Sequence, residues 1–113
     1  MKTNTIDLEN YRTRLGSVKS KVFTGRDRGM DVRNKSQIDV LFETSDRLKF
    51  IIPNDIFSIT PSFLEELFFN IVKKYGKERL YEKLDLTGNQ YDLYEPLNEA
   101  IDRILQRKTG LDK

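Results

Sequence analysis

The eighteen residues from Ile59 to Gly76, ITPSFLEELFFNIVKKYG, constrain this chain more than any other stretch. Pro61 suits the first position of a helix and Thr60 before it is a good N-cap. Apolar side chains then fall at Phe63, Leu64, Leu67, Phe68, Ile71, Val72 and Tyr75, which keeps one wide face apolar for about three turns. Lys73 and Lys74 lie near the negative end of the dipole, and Gly76 supplies a stop. The spacing predicts one long helix that needs a sheet or another helix to cover it.

The residues before and after it suggest what that cover is. Ile38 to Thr44 (IDVLFET) alternates through Ile38, Val40 and Phe42 and predicts a strand. Leu48 to Ile52 predicts a second, closed by Pro53-Asn54, with Ser45-Asp46 as a tight antiparallel connection. Beyond Gly76, Lys77–Glu82 reads as a further helical turn and Lys83–Leu86 as a short strand. A last amphipathic helix carries Leu97, Ala100, Ile101, Ile104 and Leu105, with Gly110 as its stop. Ile6 and Leu8 fit a sheet edge. Tyr11, Leu15, Val18 and Val22 fit a helical stripe that Gly16-Ser17 interrupts, and Arg26 to Asn34 has too few apolar residues to show a period. Together these give an α/β (α+β) fold: a small mixed sheet of about four strands packed against two to four helices.

Composition excludes more than it suggests. The 113 residues contain no Cys and no His, so there is no disulfide, thiolate nucleophile, imidazole base or His-ligated metal. Asp85, Asp92, Glu95, Glu99 and Asp102 are spread over several elements as a solvated acidic face, and Glu65 and Glu66 are expected to point in different directions. The chain therefore reads as non-enzymatic, with no catalytic residue, metal or cofactor. Apolar runs are three residues long at most, and MKTNTIDLENYR lacks the apolar core of a secretory signal, so a cytoplasmic protein is expected.

Charge is uneven. Residues 1–36 carry nine Lys/Arg and four Asp/Glu, whereas residues 37–113 carry eleven and fourteen. The basic part is concentrated in TGRDRGMDVRNK, where Arg26, Arg28, Arg33 and Lys35 lie within ten residues and Gly25 and Gly29 allow close backbone approach. This cluster suits a phosphate, a nucleotide, nucleic acid or an acidic protein surface. The bland alternative pairs its arginines with Asp27 and Asp31. At the helix start, Ser58, Thr60 and Ser62 put three hydroxyls within five residues, where an anion could be held or a phosphoryl group accepted. Against that, Thr60 could simply cap and Ser62 fill space.

Two segments, FTGRDRGMDVR (Phe23–Arg33) and IIPNDIFSITPSFLEELFFNIVKKYG (Ile51–Gly76), resemble the STAS-like domains of unknown function found in bacterial and mobile-element proteins. The pattern runs more loosely through KERLYEKLDLTGN and covers about residues 20–107, so the resemblance implies an N-terminal extension (1–19) and a STAS-like domain (20–113). Wider STAS domains, such as the anti-sigma-factor antagonists, have a sheet packed against helices and bind protein partners, often a serine kinase of the histidine-kinase-like ATPase type. That partner phosphorylates a Ser or Thr at the start of the helix after the central strand. Thr60 and Ser62 occupy the similar position, although Ile59-Thr60-Pro61-Ser62 stands in place of the Asp-Ser-Ser-Gly type turn. The resemblance implies an interaction module switched at Thr60/Ser62, with Arg26, Arg28, Gly29, Arg33 and Ser58 contacting the partner or an anion. The alternatives are a nucleotide- or nucleic-acid-binding module built on Arg26–Lys35, or a mobile-element-encoded inhibitor of a host system.

Overall fold

The computed structural model describes residues 2–107; the Gly110 stop lies outside them. In chain order the elements are β1 (Thr3–Asp7), a 3-10 turn (Leu8–Tyr11), β2 (Arg14–Leu15), β3 (Val18–Lys19), β4 (Val22–Phe23), α1 (Arg26–Ser36) and α2 (Ile38–Thr44). There follow β5 (Arg47–Ile51), β6 (Ser58–Ile59), α3 (Pro61–Leu67), α4 (Phe69–Tyr75), α5 (Lys77–Lys83), β7 (Leu84–Asp85) and α6 (Tyr94–Gln106). The fold is mixed α/β. Its main sheet is parallel, in the order β1-β5-β7, with Ile6 opposite Phe50 and Leu48 opposite Leu84. β4 and β6 form a separate parallel pair and β2–β3 a hairpin, so the expected single four-stranded sheet is divided among three small ones.

Three expectations need correction. Residues 38–44 are a helix, so the antiparallel pairing of this segment with residues 48–52 does not exist. Ile38 and Phe42 are both buried at a spacing of four, while Val40, which the strand reading placed beside them, is 52% exposed. Gln37 adopts the left-handed conformation (φ +55°) and turns the chain between α1 and α2. The long helix is also interrupted. Phe68, at φ −103° and ψ 8°, separates α3 from α4, although its N–H still donates to the Leu64 carbonyl at 2.9 Å. Its buried ring lies 5.9 Å from that of Phe50 on β5.

The stripe of Tyr11, Leu15, Val18 and Val22 is not helical. A hairpin turns at Gly16 (φ +65°), and β1 with the 3-10 turn brings Ile6 and Leu8 into the core. The first residues thus supply an edge strand of the main sheet, side by side with β5. Aromatic pairs tie the layers together, Phe23 to Phe63 at 5.2 Å and Phe42 to Tyr75 at 5.4 Å. Each buried phenylalanine contributes on the order of 2–3 kcal/mol. Helix α6 buries Leu97, Ala100, Ile101 and Ile104, four of the five residues its sequence spacing nominated.

The β5–β7 pairing carries an electrostatic tie. Asp85 accepts from the Thr87 hydroxyl at 2.6 Å and the Thr87 N–H at 3.0 Å, and Arg47 Nε reaches it at 3.2 Å. These partners, the Thr87 hydroxyl foremost, lower its pKa to about 2. Because the folded value lies below the unfolded one of about 3.9, the stabilisation is complete above that value and lost as pH falls through about 2. The variant Asp85→Asn should flatten the acid limb of a stability–pH curve between those two values while leaving the neutral-to-basic limb unchanged in shape. An acid limb as steep as that of the wild type would show that Asp85 is not the group responsible.

Candidate functional site

The Thr60 junction and the basic cluster are neighbours because β4 and β6 run side by side and in the same direction. Phe23 stands opposite Ile59, and the Thr60 N–H donates to the Phe23 carbonyl at 3.0 Å. Each strand then hands over to a helix. The Thr60 hydroxyl oxygen accepts from the Gly25 N–H at 3.3 Å and from the Phe63 N–H at 3.4 Å, so one side chain caps α3 and fastens the start of α1 beside it. Gly25 sits at φ +90°, a conformation that favours glycine at this turn.

From there α1 and α3 pack closely. A Cβ on Gly29 would stand 2.3 Å from the Phe63 carbonyl oxygen and 3.0 Å from the Glu66 Cβ. Gly29 is therefore the point at which one helix rests on the backbone of the other.

The arginines are already engaged. Arg26 lies 3.0 Å from both Glu65 and Glu66. Arg33 donates to the Glu66 carbonyl at 2.6 Å. Arg28 pairs with Asp31, donates to the Tyr11 carbonyl and lies over the Phe23 ring, and Lys35 reaches Asp31 at 3.3 Å. Part of the bland reading holds at Asp31, but two of the arginines serve α3 instead.

Glu65 is the group the residue pattern did not single out. Its side chain is 1% exposed, and it meets Arg26 from α1 as well as Arg107, at 2.8 Å, and Arg103, at 3.8 Å, from the other side. Glu66 shares Arg26 and Arg107, so the two carboxylates converge on common partners and do not diverge as their adjacency suggested. Burial raises the pKa of Glu65, but the hydrogen bonds from Arg26 and Arg107 outweigh it and hold the carboxyl below its usual range. A signal was present: Glu65 lies three and seven residues before Phe68 and Val72, within the apolar stripe, and Arg103 and Arg107 repeat at a spacing of four.

The three hydroxyls have different settings. Thr60 faces α1. Ser62 faces α6, where Arg103 Nη1 approaches its oxygen at 3.4 Å while also holding Glu99. Ser58 is half-buried on β6 opposite Val22, and the neighbouring Ile59 N–H donates to the Tyr91 hydroxyl at 2.9 Å. Among the described residues no three acidic side chains gather in a way that could hold a metal ion. No described helix is long and apolar enough to cross a membrane. The arrangement links α1, α3 and α6 through carboxylates that share arginine partners. No protein-family model, no curated protein and no solved structure matches this chain.

Proposed function

We propose that the chain is a non-catalytic protein-interaction module, switched by phosphoryl transfer to the start of α3 from a partner kinase of the histidine-kinase-like ATPase type. The observation that carries the reading is Arg103, placed 3.4 Å from the Ser62 oxygen and shared with Glu99 and Glu65. In the transfer the Ser62 oxygen bonds to the γ-phosphorus of the partner's ATP, ADP leaves, and the hydroxyl proton passes to a base on the partner. The product gains a charge of about −1.5 to −2. A phosphate there competes for Arg103 and alters both the α3–α6 contact and the charge of the exposed surface. Thr60 is the poorer acceptor, since its oxygen already takes two backbone N–H groups.

The test is incubation with the candidate kinase and ATP, read by intact mass and by affinity for the kinase. Wild type and Thr60→Ala should gain one phosphoryl group, and Ser62→Ala should gain none. A Thr60→Ala/Ser62→Ala double variant that binds and responds like wild type would end the switch proposal. Salt-sensitive oligonucleotide binding that Arg26→Ala and Arg33→Ala abolish would move the function to the basic cluster.

A further inference from the structure

The β2–β3 hairpin is built with its apolar face outward. Arg14 and Lys19 are cross-strand partners, and both reach back to Glu9, at 3.3 and 3.0 Å. Side chains alternate faces along a strand, so the adjacent pair, Leu15 and Val18, points the other way. Those two are 84% and 68% exposed. A hairpin that existed only to pack would face the opposite way. A second apolar tip stands beside this segment: Phe57 is 72% exposed, and its N–H donates to the carbonyl of Lys21, two residues beyond β3.

One buried guanidinium ties the segments that carry the two tips to each other. The Arg12 side chain is 1% exposed and donates to Asp55 at 2.9 Å through each of its two Nη atoms, to Glu9 at 3.0 Å and to the Ser20 carbonyl at 3.0 and 2.8 Å. Asp55 lies two residues before Phe57, and Ser20 immediately follows the hairpin. Apolar side chains displayed on a pre-ordered base lose little entropy on binding, which is how a small contact reaches useful affinity.

Charge selects the occupant. Residues 12–21 contain Arg12, Arg14, Lys19 and Lys21 and no carboxylate. Glu9 pairs with Arg12, Arg14 and Lys19 and Asp55 pairs with Arg12, which leaves Lys21, exposed and bonded through its carbonyl to the Phe57 N–H, as the cation that a partner meets. Two copies joined hairpin to hairpin would set like charges together. A lipid surface would need several cations turned toward it, whereas a carboxylate at the rim of a protein groove is enough to answer Lys21. We infer that Leu15, Val18 and Phe57 dock into an apolar groove rimmed by carboxylates on a partner protein. The inference deepens the interaction reading and does not depend on phosphorylation.

The experiment places a photoreactive group on the hairpin, Leu15→p-benzoylphenylalanine, in the cells that make the protein, and identifies the cross-linked peptide by mass spectrometry. The expected product is a peptide of another protein that is net acidic and contains apolar residues. A synthetic copy of that peptide should bind wild type, and should bind Leu15→Ser/Val18→Ser at least about tenfold more weakly. Lys21→Glu should weaken it too and reduce its salt dependence. The serine variant should keep the wild-type thermal midpoint, because neither side chain is buried. Cross-links to lipid, to a second copy, to a basic peptide or to nothing would overturn the inference, as would equal affinity of the serine variant. The Thr60→Ala/Ser62→Ala variant should bind the peptide as wild type does, so loss of the switch and loss of the docking seat are separable.

Discussion

Gly29→Ala is expected to lower stability by about 3 kcal/mol, the upper range for forcing a side chain into a filled contact. In most helices the same change is favourable by roughly 0.5–1 kcal/mol, since alanine restricts the unfolded chain and has the better propensity. The sign reverses here because the new methyl carbon would meet the Phe63 carbonyl oxygen at 2.3 Å. That obstacle is backbone, which cannot swing aside as the end of a long side chain can. Relief requires α1 to move off α3, disturbing the ion pairs from Arg26 to Glu65 and Glu66. Since a domain of this size has only about 5–15 kcal/mol in hand, the loss is large. Urea unfolding measures it directly: a midpoint equal to or above that of wild type would show that the two helices do not cross at this glycine.

The second large effect is Arg12→Ala, expected to cost roughly 2–3 kcal/mol. The change leaves the Ser20 carbonyl without its guanidinium and opens the space the side chain filled. Glu9 and Asp55 are partly exposed and can regain water, which keeps the cost below that of stranding a fully buried charge. Amide exchange gives the sharper readout. The Ser20 and Phe57 N–H groups, bonded to Thr13 and Lys21, should exchange much faster, while Val72 and Leu97 in the helices fall only by the global loss. Arg12→Lys should behave almost like the alanine variant, because an ammonium cannot reproduce the planar fork that meets Asp55 through two nitrogens. Uniform acceleration across the molecule would mean that Arg12 supports overall stability alone and does not hold the loops.

What the sequence disclosed follows from the length of its patterns. Helix α6 was legible because thirteen residues sample its period several times, and residues 61–75 were legible as helical for the same reason. The break at Phe68 was not, since it arises where a ring meets Phe50 from a distant strand. IDVLFET was misread because seven residues satisfy both periods: Ile38 and Phe42 are two steps of two apart and also one helical spacing of four. The Thr60 cap was readable as an isolated motif. Its second partner, the Gly25 N–H, depends on the parallel pairing of two-residue strands 36 positions apart, too short to leave a pattern. Arg12 shows the limit most plainly. Nothing in NYRTRLG distinguishes the buried guanidinium from the exposed one two residues later; that difference is made by Asp55.

The parallel sheet also sets the order in which the chain can assemble as it is made. Strand β1 cannot pair until β5 has been synthesised, and β5 in turn lacks its second neighbour until β7 follows. Neither pairing is local, so each closes a long loop before any contact compensates for it. The helices, by contrast, can form from neighbouring residues, and α1 can meet α3 well before α6 exists. The TNTID strand therefore leaves the ribosome with both edges open and Ile6 uncovered, an interval in which two nascent chains are able to pair with each other. Its flanking Lys2 and Glu9, its own Asp7 and its two threonines keep that strand polar enough to wait.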